Sequence, residues 1–457
     1  MAFDWNAAIV GDFVDLQRGN TYQSALLDTP GPVLLGLASI ECDGGFRPDK
    51  LRTYGGESPA RLLIYPGDIY VSLKDVTQSG DLLGSVARVP NFITVGRLTQ
   101  DTVRLVFKNE MIDRSYLYWI LRTPEYRDYC RARGMGTTNL SLSRSDFLSF
   151  TVPEPTSNRL SIQRTLDAIE CKITLNRDIC QTLEAMAQAI FTSWFVDFDP
   201  VKAKIAAIQE GRDPLCAAMS AISGKGDATL DALPPEQYKQ LAATAALFPD
   251  AMEAAALGEI PKGWMLKSLG DVAQFANGKV DVASLNEGIY VSTENMLNDR
   301  AGITRATSLP STATVPSFTK GQVLVSNIRP YFKKIWLARF NGGRSPDVLA
   351  FAPVDLRWSE FLYSLMYQDA FFEFITRTAK GAKMPRGDKD AIIGWKFPCP
   401  DERLIVHFSE KSRPCYEHIE HLTSENQALL VLRDTLLPKL LSGELPVTAL
   451  VDAAGAG

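Results

Sequence analysis

Apolar residues recur at alternating steps of four and three along two long stretches of the chain. The first stretch runs from residue 162 to 194 with a single strongly polar member, Asn176. The second runs from 415 to 440 and has Asn426 and Arg433 as its polar members. A period of 3.5 residues sustained over so many turns is typical of helices that pack against a partner helix. The pattern therefore predicts two long helices that pair with each other in antiparallel fashion.

We call these apolar positions the helix seam. Its members are Ile162, Leu166, Ile169, Ile173, Asn176, Leu183 and Ile190 in the first helix and Ile419, Leu422, Asn426, Leu429 and Leu436 in the second. An amphipathic helix lying on a globular core is the alternative, although it would explain a stripe of only about three turns. Pro414 is expected to begin or kink the second helix, because proline lacks an N–H and clashes with the preceding turn.

The segments outside the seam repeat each other in the same order. The matching pairs are Val10–Asn20 with Leu269–Lys279, Tyr65–Asp75 with Thr319–Arg329, Tyr116–Gly136 with Phe361–Gly381, and Phe147–Pro155 with Ile392–Pro400. Each copy runs through strand-like alternation, then a helix-like period, then a strand and two prolines before its long helix. The separation of roughly 250 residues is too long for a solenoid, so we infer a duplication of whole modules.

The predicted fold class is α+β, with two mixed α/β domains in tandem, each followed by a long α-helix, related by a pseudo-twofold axis. The predicted boundaries are 1–155 for the first α/β domain, 156–198 for its helix, 199–257 for a connecting segment, 258–400 for the second α/β domain, 401–446 for its helix and 447–457 for a flexible tail. We expect short helices and loops without a core of their own in the connecting segment. A helix of about 35 residues spans ~50 Å, which would place the two domains at opposite ends of the helix pair.

Basic charge is concentrated in parts of the chain although the whole carries a net charge of −5. Residues 258–399 hold 18 Lys and Arg against 13 Asp and Glu, a net charge of +5. Between residues 114 and 144, six arginines face only Glu125 and Asp128. Such clustering suits a nucleic-acid partner, whereas ordinary solvated surface charge explains it equally well at this point.

The chain lacks the sequence motifs that are typical of several classes of protein. No apolar run approaches the ~18 residues of a membrane span, and residues 1–13 do not read as a signal peptide, so we expect a cytoplasmic protein without membrane contact. The seven cysteines form no CxxC pair, which favours reduced thiols over a disulfide frame or a zinc site. A phosphate loop, a methyltransferase tetrapeptide and a nucleophile with its base are missing, and His418 and His421 read as solvated helix positions. We therefore predict a binding protein without catalytic or metal-ligating residues.

Three stretches carry a close family resemblance. They are "KITLNRDICQTLEAMAQAIFTSWFVDFDPVKAK" (Lys172–Lys204), "LFPDAMEAAALGEIPKGW" (Leu247–Trp264) and "ENQALLVLRDTLLPKLLSGEL" (Glu425–Leu445). In this order, and together with the duplicated modules, the chain resembles the specificity subunit of Type I restriction-modification enzymes over essentially its full length.

The resemblance implies a DNA-binding subunit without catalysis of its own. Each α/β module would be a target-recognition domain that reads one half of a bipartite, asymmetric site in double-stranded DNA. The helix pair would set the unspecific gap and dock two modification subunits, which carry S-adenosylmethionine and methylate adenine at N6. Restriction subunits that use ATP and Mg²⁺ would join that complex. A coiled-coil adaptor without direct DNA readout, and a methyltransferase in its own right, are the alternatives.

Two loops of each module are hypothesised to face DNA, because basic and amide side chains read phosphates and base edges. The candidates are Lys74, Gln78, Thr138, Asn139, Ser141 and Arg144 in the first module and Asn327, Arg329, Lys333, Lys334, Lys383 and Arg386 in the second. Outside the seam, Phe191, Phe195, Val196 and Leu437 are candidates for subunit docking, with burial against the recognition domains as the alternative.

Overall fold

The computed structural model describes residues 4–42, 44–48, 51–76, 79–136, 139–381 and 383–443. The chain divides into two compact units. Unit 1 comprises Met1–Asn176 and Glu425–Gly457, and unit 2 comprises Arg177–Ser424. Each unit contains one α/β module and parts of both long helices. Because the division cuts across the helices, the domain boundaries given above stay predictions, and the predicted tail at 447–457 lies outside the described residues.

Module 1 occupies the part of unit 1 before the first long helix. Its strands are Val14–Arg18 (β1), Val33–Leu35 (β2), Leu63–Ile64 (β3), Ile69–Ser72 (β4), Lys74–Asp75 (β5), Val86–Arg88 (β6), Gly96–Leu98 (β7), Thr102–Phe107 (β8) and Leu140–Ser141 (β9). Its helices are Val10–Phe13 (α1), Arg114–Ile120 (α2), Pro124–Ala132 (α3) and Arg144–Leu148 (α4). An antiparallel sheet has the order β1-β8-β4-β6, a second sheet has the order β2-β7-β3, and β5 pairs with β9.

Local chemistry explains where the two middle helices of module 1 begin. The Asp113 side chain accepts a hydrogen bond from the Tyr116 N–H at the start of α2. Thr123 does the same for Tyr126 at the start of α3, and Pro124 occupies the first turn, where its missing N–H costs nothing. Residues 116–120 of α2 are all buried, so this helix forms the centre of the module's core.

The first long helix and the connecting segment follow. Ser157–Phe195 (α5) has 39 residues. The connecting segment contains Asp199–Gln209 (α6), Pro214–Ser223 (α7), Asp227–Asp231 (α8), Pro235–Ala246 (α9) and Met252–Ala255 (β10). Strand β10 forms a hairpin with Gly258–Pro261 (β11), which lies just past the predicted end of the segment. The short helices were expected, but the expectation that this segment lacks a core was wrong. Ala218, Met219, Leu230 and Ala245 form a small buried cluster, because α7, α8 and α9 each turn an apolar face toward the others.

Module 2 repeats the main sheet of module 1. Its strands are Met265–Ser268 (β12), Ala273–Phe275 (β13), Lys279–Asp281 (β14), Tyr290–Val291 (β15), Thr314–Phe318 (β16), Val323–Ser326 (β17), Ile335–Leu337 (β18), Gly342–Arg344 (β19), Val348–Pro353 (β20) and Lys396–Cys399 (β21). Its helices are Ser359–Tyr367 (α10), Asp369–Arg377 (α11) and Lys389–Ile393 (α12). The sheet order β13-β20-β17-β18 matches β1-β8-β4-β6 strand for strand. The other sheets are β14-β16-β19-β15 and β12-β21.

The second long helix, Glu402–Ser442 (α13), has 41 residues and begins earlier than the proline had suggested. Pro414 lies inside it, so of the two expected roles the beginning of the helix is wrong, and a kink at this residue stays a prediction. The reason is packing: Leu404, Ile405 and Phe408 in the turns ahead of the proline are buried in the core of unit 2. Asp401 receives the Arg403 N–H at 2.9 Å and so caps the actual beginning.

Seam residues of α5 and α13 lie in the core of each unit. In unit 1, Ile162, Leu166, Ile169 and Ile173 share one core cluster with Leu436 and Leu440. In unit 2, Ile190 and Ile419 pack against another cluster that includes Phe408. No predicted seam side chain is exposed. Early residues of α5 therefore meet late residues of α13 within unit 1, the sense expected of an antiparallel pair.

Polar seam residues also meet in unit 1. The Asn176 side-chain amide donates to Asn426 Oδ1 at 2.9 Å and to Glu425 Oε2 at 2.7 Å. Asn176 is fully buried, and its own Oδ1 has no hydrogen-bond partner among the described residues. A buried asparagine such as Asn176 is costly in an alignment that removes its polar partner, so the pair favours one register of the two helices.

Candidate nucleic-acid interface

The two loops predicted in module 1 are joined along one edge of that module. Strands β5 and β9 pair antiparallel with Lys74 opposite Ser141, and Ser141 also bridges Met135. The Leu142 N–H donates to Leu73 O at 2.9 Å. These backbone bonds hold the segment after β4 against the segment before α4.

Module 2 builds the corresponding edge with the same ladder. Ile328 bridges Arg386, and Arg386 bridges Lys380, where module 1 has Lys74, Ser141 and Met135. The Gly387 N–H donates to Asn327 O at 3.1 Å, and the Arg329 N–H donates to Pro385 O at 2.8 Å. We call the two places edge 1 (residues 73–76, 135–136 and 139–144) and edge 2 (residues 327–334, 380–381 and 383–387). One backbone frame thus presents two different sets of side chains.

The predicted residues of edge 1 are only partly accessible. Lys74 is half-buried and its Nζ lies 3.0 Å from Asp101 Oδ1. The Ser141 hydroxyl donates to Met135 O at 3.3 Å. Asn139 and Arg144 are exposed. Gln78 and Thr138 lie outside the described residues.

Some predicted residues of edge 2 have hydrogen-bond or ion-pair partners within the protein, and others are exposed without such partners among the described residues. Lys333 Nζ donates to Asp369 Oδ1 at 2.6 Å, and Lys334 Nζ donates to Thr293 O at 2.6 Å. Burial lowers the pKa of Lys334. Arg386 pairs with Asp347 at 3.1 Å. Arg329 and Lys383 are exposed, whereas Asn327 is half-buried and its Oδ1 is buried with no hydrogen-bond partner among the described residues.

Backbone strain is concentrated at edge 2. Among the described residues, six non-glycine residues have positive φ. Arg329 (50°) and Lys333 (50°) lie in edge 2, and Asp299 (52°) and Arg300 (64°) lie in the segment that hydrogen-bonds to it. Arg329 and Lys333 flank the 3-10 turn Pro330–Phe332. Each such residue costs on the order of 1–3 kcal/mol, and persists only where the surroundings hold it.

Exposed apolar side chains at both edges were missed by the sequence analysis. Val76 and Met135 at edge 1 are 63% and 59% exposed, and Tyr331 and Met384 at edge 2 are 48% and 49% exposed. Tyr331 lies between three basic positions that the sequence analysis had named. An aromatic residue inside a basic loop was therefore the signal that could have found it.

Module 1 is attached to α5 by a charged network, which we call joint 1. Glu170 of α5 accepts from Arg88 at 2.5 Å, from Arg122 at 2.7 Å and from the Tyr118 hydroxyl at 2.8 Å. Asp167, one turn earlier, accepts from Arg88 at 2.9 Å. Burial acts to raise the pKa of Glu170, but the two guanidinium groups and the hydrogen bonds outweigh it, so this pKa is lowered.

Module 2 is attached to α5 by a cluster of tyrosine and glutamine side chains around Glu184, which we call joint 2. The Tyr363 hydroxyl donates to Glu184 Oε2 at 3.4 Å, and the Gln188 amide donates to Glu184 Oε1 at 2.9 Å. The same amide donates to the Tyr416 hydroxyl at 3.3 Å. Burial raises the pKa of Glu184, and its hydrogen bonds and the charge of Arg339 offset this increase only in part.

Three of the four residues predicted to dock a partner subunit are core residues instead. Phe191 and Phe195 are 1% and 6% exposed in the core of unit 2, and Leu437 is 8% exposed in the core of unit 1. The Phe191 ring contacts Phe361 and Phe408, with centroids 5.7 and 5.5 Å apart. These side chains turn inward because α5 and α13 also carry the modules, not only each other. Val196 is 47% exposed, so docking at this residue stays a prediction.

Within the described ranges, His, Cys, Asp and Glu side chains form no group of three that could hold a metal ion. None of the helices that the structure describes combines the length and the apolar character that a membrane span requires.

Known proteins include similar sequences and a similar fold. No protein-family model matches the chain. The chain is 30% identical over 358 residues to the Type I restriction enzyme HindI specificity subunit of Haemophilus influenzae, covering 72% of this chain and 77% of that protein. It is 22% identical over 473 residues to the MjaIX specificity subunit of Methanocaldococcus jannaschii, covering 98% of this chain and 95% of that one.

A solved structure shares the fold. The S subunit of a Type I restriction-modification system from M. genitalium superimposes with a TM-score of 0.51 at 15% identity, covering 96% of this chain and 98% of that one. At this identity the likeness concerns the fold alone.

Proposed function

The chain belongs to the specificity subunits of Type I restriction enzymes, and from this membership we propose that its two modules read the two halves of a bipartite, asymmetric DNA site. The supporting observation is the repeated ladder at edges 1 and 2. The backbone frame is the same, but Ser141 stands where module 2 has Arg386, and Lys74 stands where it has Ile328. Two modules with the same backbone ladder but different side chains are suited to recognise two different DNA sequences.

The chemistry of the edges supports contact with duplex DNA. Exposed Arg144 and Asn139 at edge 1, and Arg329 and Lys383 at edge 2, can reach phosphates and base edges. Exposed apolar side chains beside them suit contact with thymine methyl groups. An adaptor without DNA readout would gain nothing from these different basic edges.

The two helices are proposed to set the gap between the half-sites. Seam residues are mostly buried in unit 1 and mostly half-buried in unit 2, and the Asn176–Asn426 pair favours one register. Joints 1 and 2 attach the modules to the same helix, α5. A spacer needs these properties, because a loose module would sample many distances along the DNA.

Partners and cofactors complete the proposal. Two modification subunits would bind S-adenosylmethionine and methylate adenine at N6, and restriction subunits would use ATP and Mg²⁺. This subunit would supply the sequence specificity of the complex without binding a cofactor. Val196 is the remaining docking candidate.

The proposal can be tested by mapping methyladenine in DNA. The DNA is taken from cells that express this subunit together with its modification subunit. We expect one motif made of two short defined sequences separated by a gap of fixed length. Methylation without a two-part motif would contradict the proposal and favour the adaptor.

Duplication of one heptad in both helices tests the spacer. Repeating Thr174–Cys180 in α5 and Leu422–Ala428 in α13 preserves the seam and lengthens each helix by ~10 Å. At ~3.4 Å per base pair, the methylated motif should keep both halves while its gap grows by about 3 base pairs. Duplication in α5 alone is the control, and it should abolish specific methylation because the seam no longer aligns. An unchanged gap would exclude the helices as the spacer.

A further inference from the structure

The strained loop of edge 2 is held from three sides. The Asp299 and Arg300 N–H groups donate to Phe332 O at 2.9 Å and to Lys333 O at 3.0 Å. Arg300 and Lys333 both contact Asp369 Oδ1, at 2.5 and 2.6 Å, and these two hydrogen bonds lower the pKa of Asp369 to about 2. Backbone hydrogen bonds therefore hold all four residues with positive φ, and the Asp369 carboxylate also holds the side chains of Arg300 and Lys333.

The contacts separate the basic residues of this loop into two groups. Lys333 donates a hydrogen bond to the Asp369 carboxylate, and Lys334 donates one to the Thr293 carbonyl. The Arg329 guanidinium has no hydrogen-bond or ion-pair partner among the described residues and is exposed. Tyr331 is 48% exposed, and its ring rests on Phe332 with centroids 4.7 Å apart.

We propose that Arg329 and Tyr331 are base-contacting residues of module 2, and that Lys333 and Lys334 are positioning residues that hold the loop. The proposal rests on the proposed function of the chain as a DNA-reading subunit. Its direct consequence is that the half-site read by module 2 contains a guanine.

Rigidity is the physical reason to choose these two side chains. A loop that is already ordered loses little conformational entropy when DNA binds, so its contacts contribute fully to discrimination. The arginine fork matches guanine O6 and N7 in the major groove, and an aromatic ring beside it covers the methyl group of a neighbouring thymine. Lysine carries the same charge but lacks the fork.

The test uses the complex of this subunit with its modification subunit and a set of duplexes, each with one base pair of the mapped motif replaced. The variants are Arg329→Lys and Tyr331→Ala. Arg305→Ala is the control, because Arg305 is a 74% exposed arginine of the same module that pairs with Glu287. Competition binding at several salt concentrations gives both the discrimination and the salt dependence.

For Arg329→Lys we expect a loss of discrimination of about 10- to 100-fold at one guanine of one half-site. The other half-site and the salt dependence should not change, because the charge is kept. Tyr331→Ala should relax an adjacent position, and Arg305→Ala should bind like the wild type. Lys333→Ala should weaken discrimination across that whole half-site, since it releases the loop.

Two results would overturn the proposal while leaving the bipartite readout intact. One is an unchanged motif in Arg329→Lys and Tyr331→Ala. The other is an equal loss of affinity for every duplex, which would assign Arg329 to the phosphate backbone. If the wild-type complex itself shows no two-part motif, the proposed function fails instead, so the two failures can be told apart.

Discussion

Joints 1 and 2 each attach one module to α5, joint 1 through ion pairs and joint 2 through aromatic and amide side chains. Tyr118 and Tyr363 lie 245 residues apart, at matching positions of the duplicated modules, and each donates its hydroxyl to a glutamate of α5. Around Tyr118 the glutamate is ionised between two arginines, whereas around Tyr363 it is buried among aromatic rings and amides. The two modules share the tyrosine–glutamate contact, but only the glutamate of joint 1 forms ion pairs among the described residues. The two attachments should therefore differ in strength and in their response to pH.

The largest expected effect concerns Arg122, the most buried charge of joint 1. Arg122→Ala removes a guanidinium whose side chain is 3% exposed and leaves Glu170 with one arginine fewer. Breaking a buried pair from one side typically costs about 3–5 kcal/mol. Denaturant unfolding should show this loss of stability. The control is Arg52→Ala, since the ion pair of Arg52 with Asp28 is exposed, and equal effects of the two variants would mean that joint 1 contributes little.

Removal of the two equivalent hydroxyls compares the joints directly. Tyr118→Phe deletes a donor to Glu170 at 2.8 Å and an acceptor of Arg122 at 2.8 Å, both in a charged setting. We expect a loss of about 1.5–3 kcal/mol there. Tyr363→Phe deletes a 3.4 Å hydrogen bond and should cost about 0.5 kcal/mol. Unfolding free energies of the two variants check the order, and a larger cost for Tyr363→Phe would reverse our account of the joints.

The smallest effects are two pH dependences of opposite sign. The folded state raises the pKa of Glu184, so its stabilising contribution is complete below its ordinary value of about 4.5 and is lost as pH rises through the raised pKa. The folded state lowers the pKa of Glu170, so its contribution is complete above about 4.5 and is lost as pH falls through the lowered pKa.

Two amide variants measure these dependences. Glu184→Gln should be more stable than the wild type at pH 7–8 and should lose that advantage near pH 4. Glu170→Gln should be less stable than the wild type at pH 7 and should show a weaker acid dependence. Thermal midpoints across this pH range provide the measurement. Parallel pH profiles for the two variants would show that the joints do not differ in charge state.

The family and the candidate edges were predictable because both follow from local sequence. The resemblance to Type I specificity subunits is confirmed by a relative that is 30% identical. The matched strands "DIYVS" and "QVLVS" placed equivalent loops after β4 and β17, where the edges are found. Arg329 and Lys333, by contrast, have the same charge in the sequence, and only the contact with Asp369 separates them.

The sequence by itself determined the repeated modules, the two long helices and their seam, because hydrophobic period and strand alternation depend on neighbouring residues along the chain. Only the tertiary structure decided which apolar helix residues lie in the core, as Phe191 and Leu437 do. It also decided which basic residues have ion-pair or hydrogen-bond partners within the protein. It also decided that Glu170 and Glu184, alike in sequence and on the same helix, have opposite pKa shifts. The physical reason is that burial and ion pairing depend on residues that are distant along the chain, such as Arg88 for one glutamate and Tyr363 for the other.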